Sequence, residues 1–309
     1  LLLTMLRFLI KKTLRKKEIE TAAKAVLLGK ALFSNLVNLV LPVKYINIGG
    51  GPVFSFPFWL NLDSASSFLN RNPNVFDKNF SFPVPNSKIN IVYSSHCIEH
   101  LEETVVKRLL FESYRVLKSG GKLIVKIPDY DLILENYREN RISFFQDPSL
   151  GLPDFYEERW KCEGIENSIE NITSFLFFSY SHGLEKSMFE DDGRTDIFFA
   201  YRKEAFKNRN FFIGPLPINS EQLRKILELS SPRQITKTLL QKSKGILKEK
   251  KIFFNHISAW NASEFQSILD ELDFELISTD KEKVTKDYDF IPGICEMYNW
   301  SKFLTYQKK

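Results

Sequence analysis

The sequence predicts an α/β protein whose parallel sheet carries helices on its faces and is interrupted by a long, mostly helical insertion. Three observations predict it. Short β-branched runs alternate with a segment of helical periodicity between residues 43 and 128. The first of these runs closes in a glycine turn, as a strand does when it feeds a loop at the carboxyl edge of a sheet. The pattern loosens over residues 130–254 and resumes from 255. Strands that alternate with helices bury both faces of their sheet, hence the parallel reading.

Each element follows in order. Leu1–Ile10 is apolar apart from Thr4 and Arg7, and Lys11 and Lys12 follow. A secretory signal runs the other way, basic then apolar, and a bilayer span needs about 20 residues. Ala22–Val43 fits a helix that packs a broad apolar face, Val26, Leu27, Leu32, Phe33, Leu36, Val37, Leu39 and Val40, onto the domain. Residues 1–42 are thus read as a basic amphipathic N-terminal helical segment. Val43–Ile48, Phe58–Leu62 and Ile89–Ser95 read as strands. A helix is expected over 98–118, stopped by Ser119-Gly120-Gly121, and Lys122–Ile127 is the next strand. Asn261 and Glu264 form a capping pair for a helix carrying Phe265, Ile268, Leu269 and Leu272, and Phe274–Ser278 and Phe303–Gln307 are the closing strands. Residues 43–129 and 255–309 then form the core. Residues 130–254 are the insertion, read as an acceptor-binding region or a lid.

The composition narrows the class. The chain has 309 residues, is 43% hydrophobic and contains 28 Phe, enough apolar surface to exclude disorder as its dominant state. Three scattered cysteines, Cys97, Cys162 and Cys295, exclude a disulfide scaffold and a cysteine-based zinc site, and point to a reducing, cytoplasmic setting. The formal net charge of +5 is concentrated in residues 1–30 and 232–251, each +6 on its own. These are either solvated segments or places where an anionic surface is touched. For residues 1–30 that surface is the inner face of a membrane, contacted peripherally. Nucleic acid is not expected, because no recognition motif accompanies the charge.

Two motifs carry chemistry. In the first, Asn47-Ile48-Gly49-Gly50-Gly51-Pro52 ends a strand and Asp63 ends the next. Glycines let backbone approach a ligand, and an acid on the neighbouring strand can grip a ribose diol. A dinucleotide fingerprint needs a third glycine and an acid about 20 residues on. Here Phe54 occupies the glycine position and only twelve residues separate Gly51 from Asp63, which argues against nicotinamide and flavin dinucleotides. The second motif is Asp77, Pro83 and Ser87, the strand Ile89–Ser95, and then His96-Cys97-Ile98-Glu99-His100-Leu101.

Taken together with Trp59, Asn61, Gly120 and Gly121, these residues resemble the class I S-adenosylmethionine-dependent methyltransferases, and more narrowly those of bacterial cell-surface and polysaccharide gene clusters. The resemblance is strong over 43–130 and weaker over 255–309. It departs at Asn47, where an acid is frequent, at Phe58, where glycine is usual, and at Asn90, where Asp is frequent. It implies a Rossmann-like sheet and S-adenosylmethionine as cofactor. Asn47, Gly49 and Gly51 would border the methionine moiety, Asp63 would take the ribose hydroxyls, and Asp77 would face the adenine amino group. Ser94, Ser95 and His96 would lie near the methyl group. For Asp77 a loop-capping role is the alternative, and for Glu99 and His100 a structural one.

His96 and His256 are the candidate catalytic residues, since a hydroxyl acceptor gains from a nearby base. His182 is a further candidate. The letters His-x-x-Glu-His also hold zinc in inverted zincins, but no third ligand is identifiable in the sequence, so no metal is assigned. The function expected is methyl transfer to a glycan, lipid-linked or small-molecule acceptor, a hydroxyl favoured. The alternative is a degenerate methyltransferase fold serving as a non-catalytic binding or scaffold subunit. Oligomeric state is not legible.

Overall fold

The computed structural model describes residues 16–50, 54–64, 76–145, 168–178, 218–229, 231–249, 256–294 and 300–309. The chain divides into two compact units, Leu1–Val75 with Leu184–Asn208, and Phe76–Gly183 with Arg209–Lys309. Residues 1–15 of the expected N-terminal segment, Gly51 and His182 lie outside the described residues.

In the first unit, α1 (Lys16–Val40) precedes a parallel pair, β1 (Tyr45–Ile48) and β2 (Trp59–Leu62). Ile46, Ile48, Trp59 and Leu62 are buried. The apolar face expected to pack is instead largely open: Leu32, Phe33 and Leu36 are each 61% exposed and Leu39 84%. The buried positions are Ala31 and Ser34, and Asn38 on the same arc binds the backbone of the 58–59 turn. Small and polar side chains at this spacing allow close approach and direct hydrogen bonds, whereas bulky apolar ones would hold the helix off.

In the second unit, β3 (Ile89–Ser95), β4 (Leu117–Pro128), β5 (Phe274–Ser278) and β6 (Ser301–Lys308) lie in the order β3-β4-β6-β5. β3 and β4 are parallel, but β6 runs antiparallel to both of its neighbours, so the all-parallel expectation is corrected to a mixed sheet. Alternation of side chains does not encode strand direction, and β6 reads the same either way. Phe303, Leu304 and Tyr306 of β6 are fully buried, as in a central strand covered on both faces.

The helix expected over 98–118 is divided. A 3-10 turn at Ile98–His100 is followed by α2 (Glu103–Val116). Leu117 already pairs with Ile89, and the ladder resumes at Lys122 opposite Ile91. Ser119-Gly120-Gly121 therefore bulges out of β4, with Gly120 at φ 75°, rather than ending a helix.

Between β4 and residue 256 the described residues are helical: α3 (Tyr130–Arg138), α4 (Ile142–Phe145), α5 (Ile169–Phe178), α6 (Ser220–Leu227) and α7 (Pro232–Glu249). Tyr130, Leu176, Phe177, Leu223, Leu239 and Trp300 anchor their shared core. α8 (Ala262–Asp270) starts on the expected capping box, with Asn261 Oδ1 accepting the Glu264 N–H at 2.8 Å and Glu264 Oε2 accepting the Asn261 N–H at 3.3 Å. A short helix, α9 (Lys281–Asp287), follows β5.

Candidate functional site

At the carboxyl ends of β1 and β2, Gly49 adopts φ 74°, a conformation glycine takes without strain. Its N–H donates to the Leu62 C=O at 2.8 Å, which sets Gly49 beside the start of Asp63. Asn47 pairs in register with Asn61. A side chain on Gly50 would strike the Asn47 amide and come within 2.6 Å of Asn61 Oδ1. Asn47 and Asp63 are both buried, 3% and 5% exposed. A buried acid adjoining a glycine turn is the arrangement a ribose-bearing ligand needs on this edge.

The second group stands at the tip of β3. Ser94 is buried, and its Oγ has no hydrogen-bond partner among the described residues. His96 turns the chain out of the strand at φ 47°, and its N–H donates to the Lys126 C=O at 2.9 Å. Its imidazole is 18% exposed. Nδ1 lies 3.2 Å from Glu99 Oε1, and Nε2 lies 2.8 Å from Ser301 Oγ. A carboxylate can only accept, so Nδ1 carries the proton and Nε2 accepts from the Ser301 hydroxyl. The Trp300 ring packs edge-on against the imidazole at 5.3 Å. Ser301 and Trp300 escaped the sequence reading, because nothing in the sequence ties residues 205 positions away to His96.

His256, the other candidate base, is 1% exposed. Its Nδ1 lies 3.1 Å from the Leu176 C=O and 3.0 Å from Tyr130 Oη. Burial, reinforced by the charge of His100 and His96, holds its pKa well below the ordinary histidine range, so the ring is neutral. Burial and the Glu99 carboxylate push the Tyr130 hydroxyl well above its usual value. The His100 and His256 rings pack at 4.8 Å.

Asp77 is exposed, and its Oδ1 accepts the Asn79 N–H at 2.8 Å, the loop-capping bond. The loop that follows is tied to α2 by Glu112. Its Oε2 accepts Ser81 Oγ–H and the Phe82 N–H, both at 2.8 Å, and a bidentate pair with Arg115 completes the site. Burial alone would raise the Glu112 pKa, but the bonds from Arg115, Ser81 and Phe82 and the Arg115 charge hold it at about 2. A pocket of about 250 Å³ on α3, lined by Asp131, Glu135, Arg138 and Pro232 among others, includes none of the candidate residues.

Residues 61–125 match the family model of a methyltransferase domain. This span runs from the end of β2 through β3 and α2 into β4. No curated protein matches the chain. Among solved structures, the chain is similar to an S-adenosylmethionine-dependent methyltransferase from Mesorhizobium loti, at 12% identity over 91% of this chain and 100% of that one, TM-score 0.36. It is also similar to a SAM-dependent methyltransferase from Methanosarcina mazei, at 12% identity over 88% and 96%, TM-score 0.34. A third similar structure is PKMT2 from Rickettsia typhi in complex with AdoHcy, at 8% identity over 86% and 48%, TM-score 0.34. Within this Rossmann-like mixed α/β fold, residues 61–125 thus carry a methyltransferase domain.

Proposed function

We propose that the chain moves a methyl group from S-adenosylmethionine to a hydroxyl of a glycan, lipid-linked or small-molecule acceptor. The methyl donor is S-adenosylmethionine. The observation that carries the hydroxyl assignment is the Glu99–His96–Ser301 chain, in which a carboxylate fixes the tautomer and Nε2 already accepts from a hydroxyl at 2.8 Å. An acceptor hydroxyl that takes the place of Ser301 Oγ meets the same lone pair.

Each unit by itself carries residues that fit a part of the cofactor. Gly49 keeps the β1 turn open to backbone approach, Asp63 offers a buried acid for vicinal hydroxyls, and Ser94 holds a buried hydroxyl with no partner among the described residues. By the resemblance, Asn47 and Gly51 would border the methionine moiety, Asp77 would face the adenine, and Ser95 flanks Ser94 at the strand tip. When bound, the cofactor supplies an electrophilic methyl on sulfur. His96 would accept the proton of the acceptor hydroxyl as its oxygen bonds the methyl carbon, the methyl–sulfur bond breaks and the neutral thioether leaves, and Glu99 would keep the ring in register. His256, neutral and buried, supports the same wall as a positioning residue. Residues 130–254 would provide the acceptor side.

Calorimetric titration with S-adenosylhomocysteine tests the reading. Binding in the micromolar range, weakened tenfold or more by Asp63→Ala, about 1.4 kcal/mol or more, is expected. His96→Gln should keep that binding and lose turnover. Binding without turnover on any hydroxyl acceptor would favour the scaffold alternative, and absence of binding by folded protein would remove the enzyme reading.

A second reading concerns the amino-terminal region. No helix among the described residues is long and apolar enough to cross a membrane. The exposed side chains Leu32, Phe33, Leu36 and Leu39 follow directly on the basic segment 1–30. We propose that this region of a cytoplasmic protein rests on an anionic membrane face, which both the charge and the open apolar arc favour. Phosphatidylserine vesicles should co-sediment wild-type protein and release Leu32→Asp/Phe33→Asp. Equal sedimentation of both would reject it.

A further inference from the structure

The 3-10 turn after β3 and the segment before α8 are stitched together. The Glu99 C=O accepts the N–H groups of Ile257 at 2.8 Å and Ser258 at 3.0 Å, and Ser258 Oγ donates to the Ile98 C=O at 3.1 Å. Trp260 Nε1 in turn donates to Ser258 Oγ at 2.8 Å. This seam brings Glu99, His100 and His256 together, so that one ligand-capable atom of each lies within 4.8 Å of the other two. Glu99 is fully buried. Its Oε1 faces His96, but its Oε2 has no hydrogen-bond partner among the described residues. A buried charged oxygen left bare is costly, and folds retain one where something else satisfies it.

We propose that Glu99, His100 and His256 form a site for a divalent transition-metal ion of the zinc class. Two imidazoles and one carboxylate are the donor set such ions take, with a fourth position left for water or a ligand oxygen. The outer contacts are those a metal site requires. His256 Nδ1–H donates to the Leu176 C=O at 3.1 Å, which leaves the lone pair on Nε2. Glu99 Oε1 is oriented by His96, so Oε2 is the oxygen that remains to ligate. His100, half-buried, is the member within reach of solvent. Tetrahedral zinc separates its ligand atoms by about 3.4 Å, so closing from 4.8 Å requires only side-chain rotation on a fixed backbone seam.

The pairing differs from the one the His-x-x-Glu-His letters suggest. His96 is committed to Glu99 and Ser301, while the third ligand comes from beyond residue 250, where sequence spacing gives no cue. The proposal stands independently of methyl transfer, and its test uses no cofactor.

Tag-free full-length protein, stripped with EDTA and dialysed, would be titrated with Co²⁺ for tetrahedral visible absorption, and with Zn²⁺ against a chromophoric chelator. One equivalent should bind, with a rise in thermal midpoint. Glu99→Gln and His100→Gln should each weaken binding by about tenfold or more, and His182→Gln should leave it unchanged. Circular dichroism would establish that each variant is folded. Folded wild-type protein that takes no Zn²⁺ from the chelator would overturn the proposal. So would full one-equivalent affinity in both Glu99→Gln and His100→Gln.

Discussion

Phe58 sits at φ 67°, a region that bulky L-residues avoid. Glycine, usual at this position in the methyltransferases the sequence resembles, adopts such a conformation freely. Asn38 clamps the turn from α1. Its Oδ1 accepts the Phe58 N–H at 2.6 Å and its Nδ2 donates to the Trp59 C=O at 3.0 Å. Asn38→Ala should therefore cost about 1–3 kcal/mol, read by chemical denaturation. Asn38→Ala/Phe58→Gly should recover about 1 kcal/mol of that loss, because glycine needs no clamp. Strict additivity of the two substitutions would reject the coupling. Phe58 stands out in the sequence, whereas the role of Asn38 depends on a turn 20 positions away that no local pattern marks. The turn at Gly49 and the strand end before Asp63 are legible because backbone conformation and strand position follow from local sequence. The neighbours of His96 and His256 were not, because they arrive from distant parts of the chain.

At the scale of elements, the tie between Glu112 and the 80–87 loop holds the entry to β3. Arg115 also reaches the Phe82 C=O at 3.0 Å and the Val84 C=O at 2.9 Å, and Arg108 Nε donates to the Phe80 C=O at 2.7 Å. Arg108 Nη2 also lies 3.3 Å from Glu112 Oε1, so a glutamine there removes the charge facing two guanidinium groups and one of the two acceptor oxygens. Glu112→Gln should destabilise by about 2–4 kcal/mol at neutral pH. The pH sign follows from the depressed pKa of about 2 against an ordinary 4.5. The stabilisation is fully present above pH 4.5 and is lost as pH falls towards 2. Wild-type stability should thus drop more steeply than that of Glu112→Gln across this window, and parallel curves would reject the assignment. In α2 this glutamate and arginine look like an ordinary solvated pair three residues apart, which is why the sequence reading passed over them. The Asn261–Glu264 box, by contrast, was legible to the residue, since both of its bonds are local.

At the scale of the molecule, strand positions were legible and strand direction was not. β3 and β5 occupy the residues that alternation assigns them, yet the reversal of β6 depends on pairing that no local pattern records. β6 supplies the hydrogen-bonding partner for both β4 and β5. Deletion of residues 301–309 should therefore expose two strand edges at once and shift the protein from the soluble to the pellet fraction after lysis. A soluble, cooperatively melting deletion variant would contradict this role.

The central place of β6 also bears on synthesis. Strands β3 and β4 leave the ribosome well over a hundred residues before β6 does. During that interval the Lys122–Pro128 edge of β4 awaits its partner. The second unit thus completes its sheet only once residues 301–308 have been translated, and until then its nascent form presents a bare, apolar strand to chaperones and to neighbouring chains.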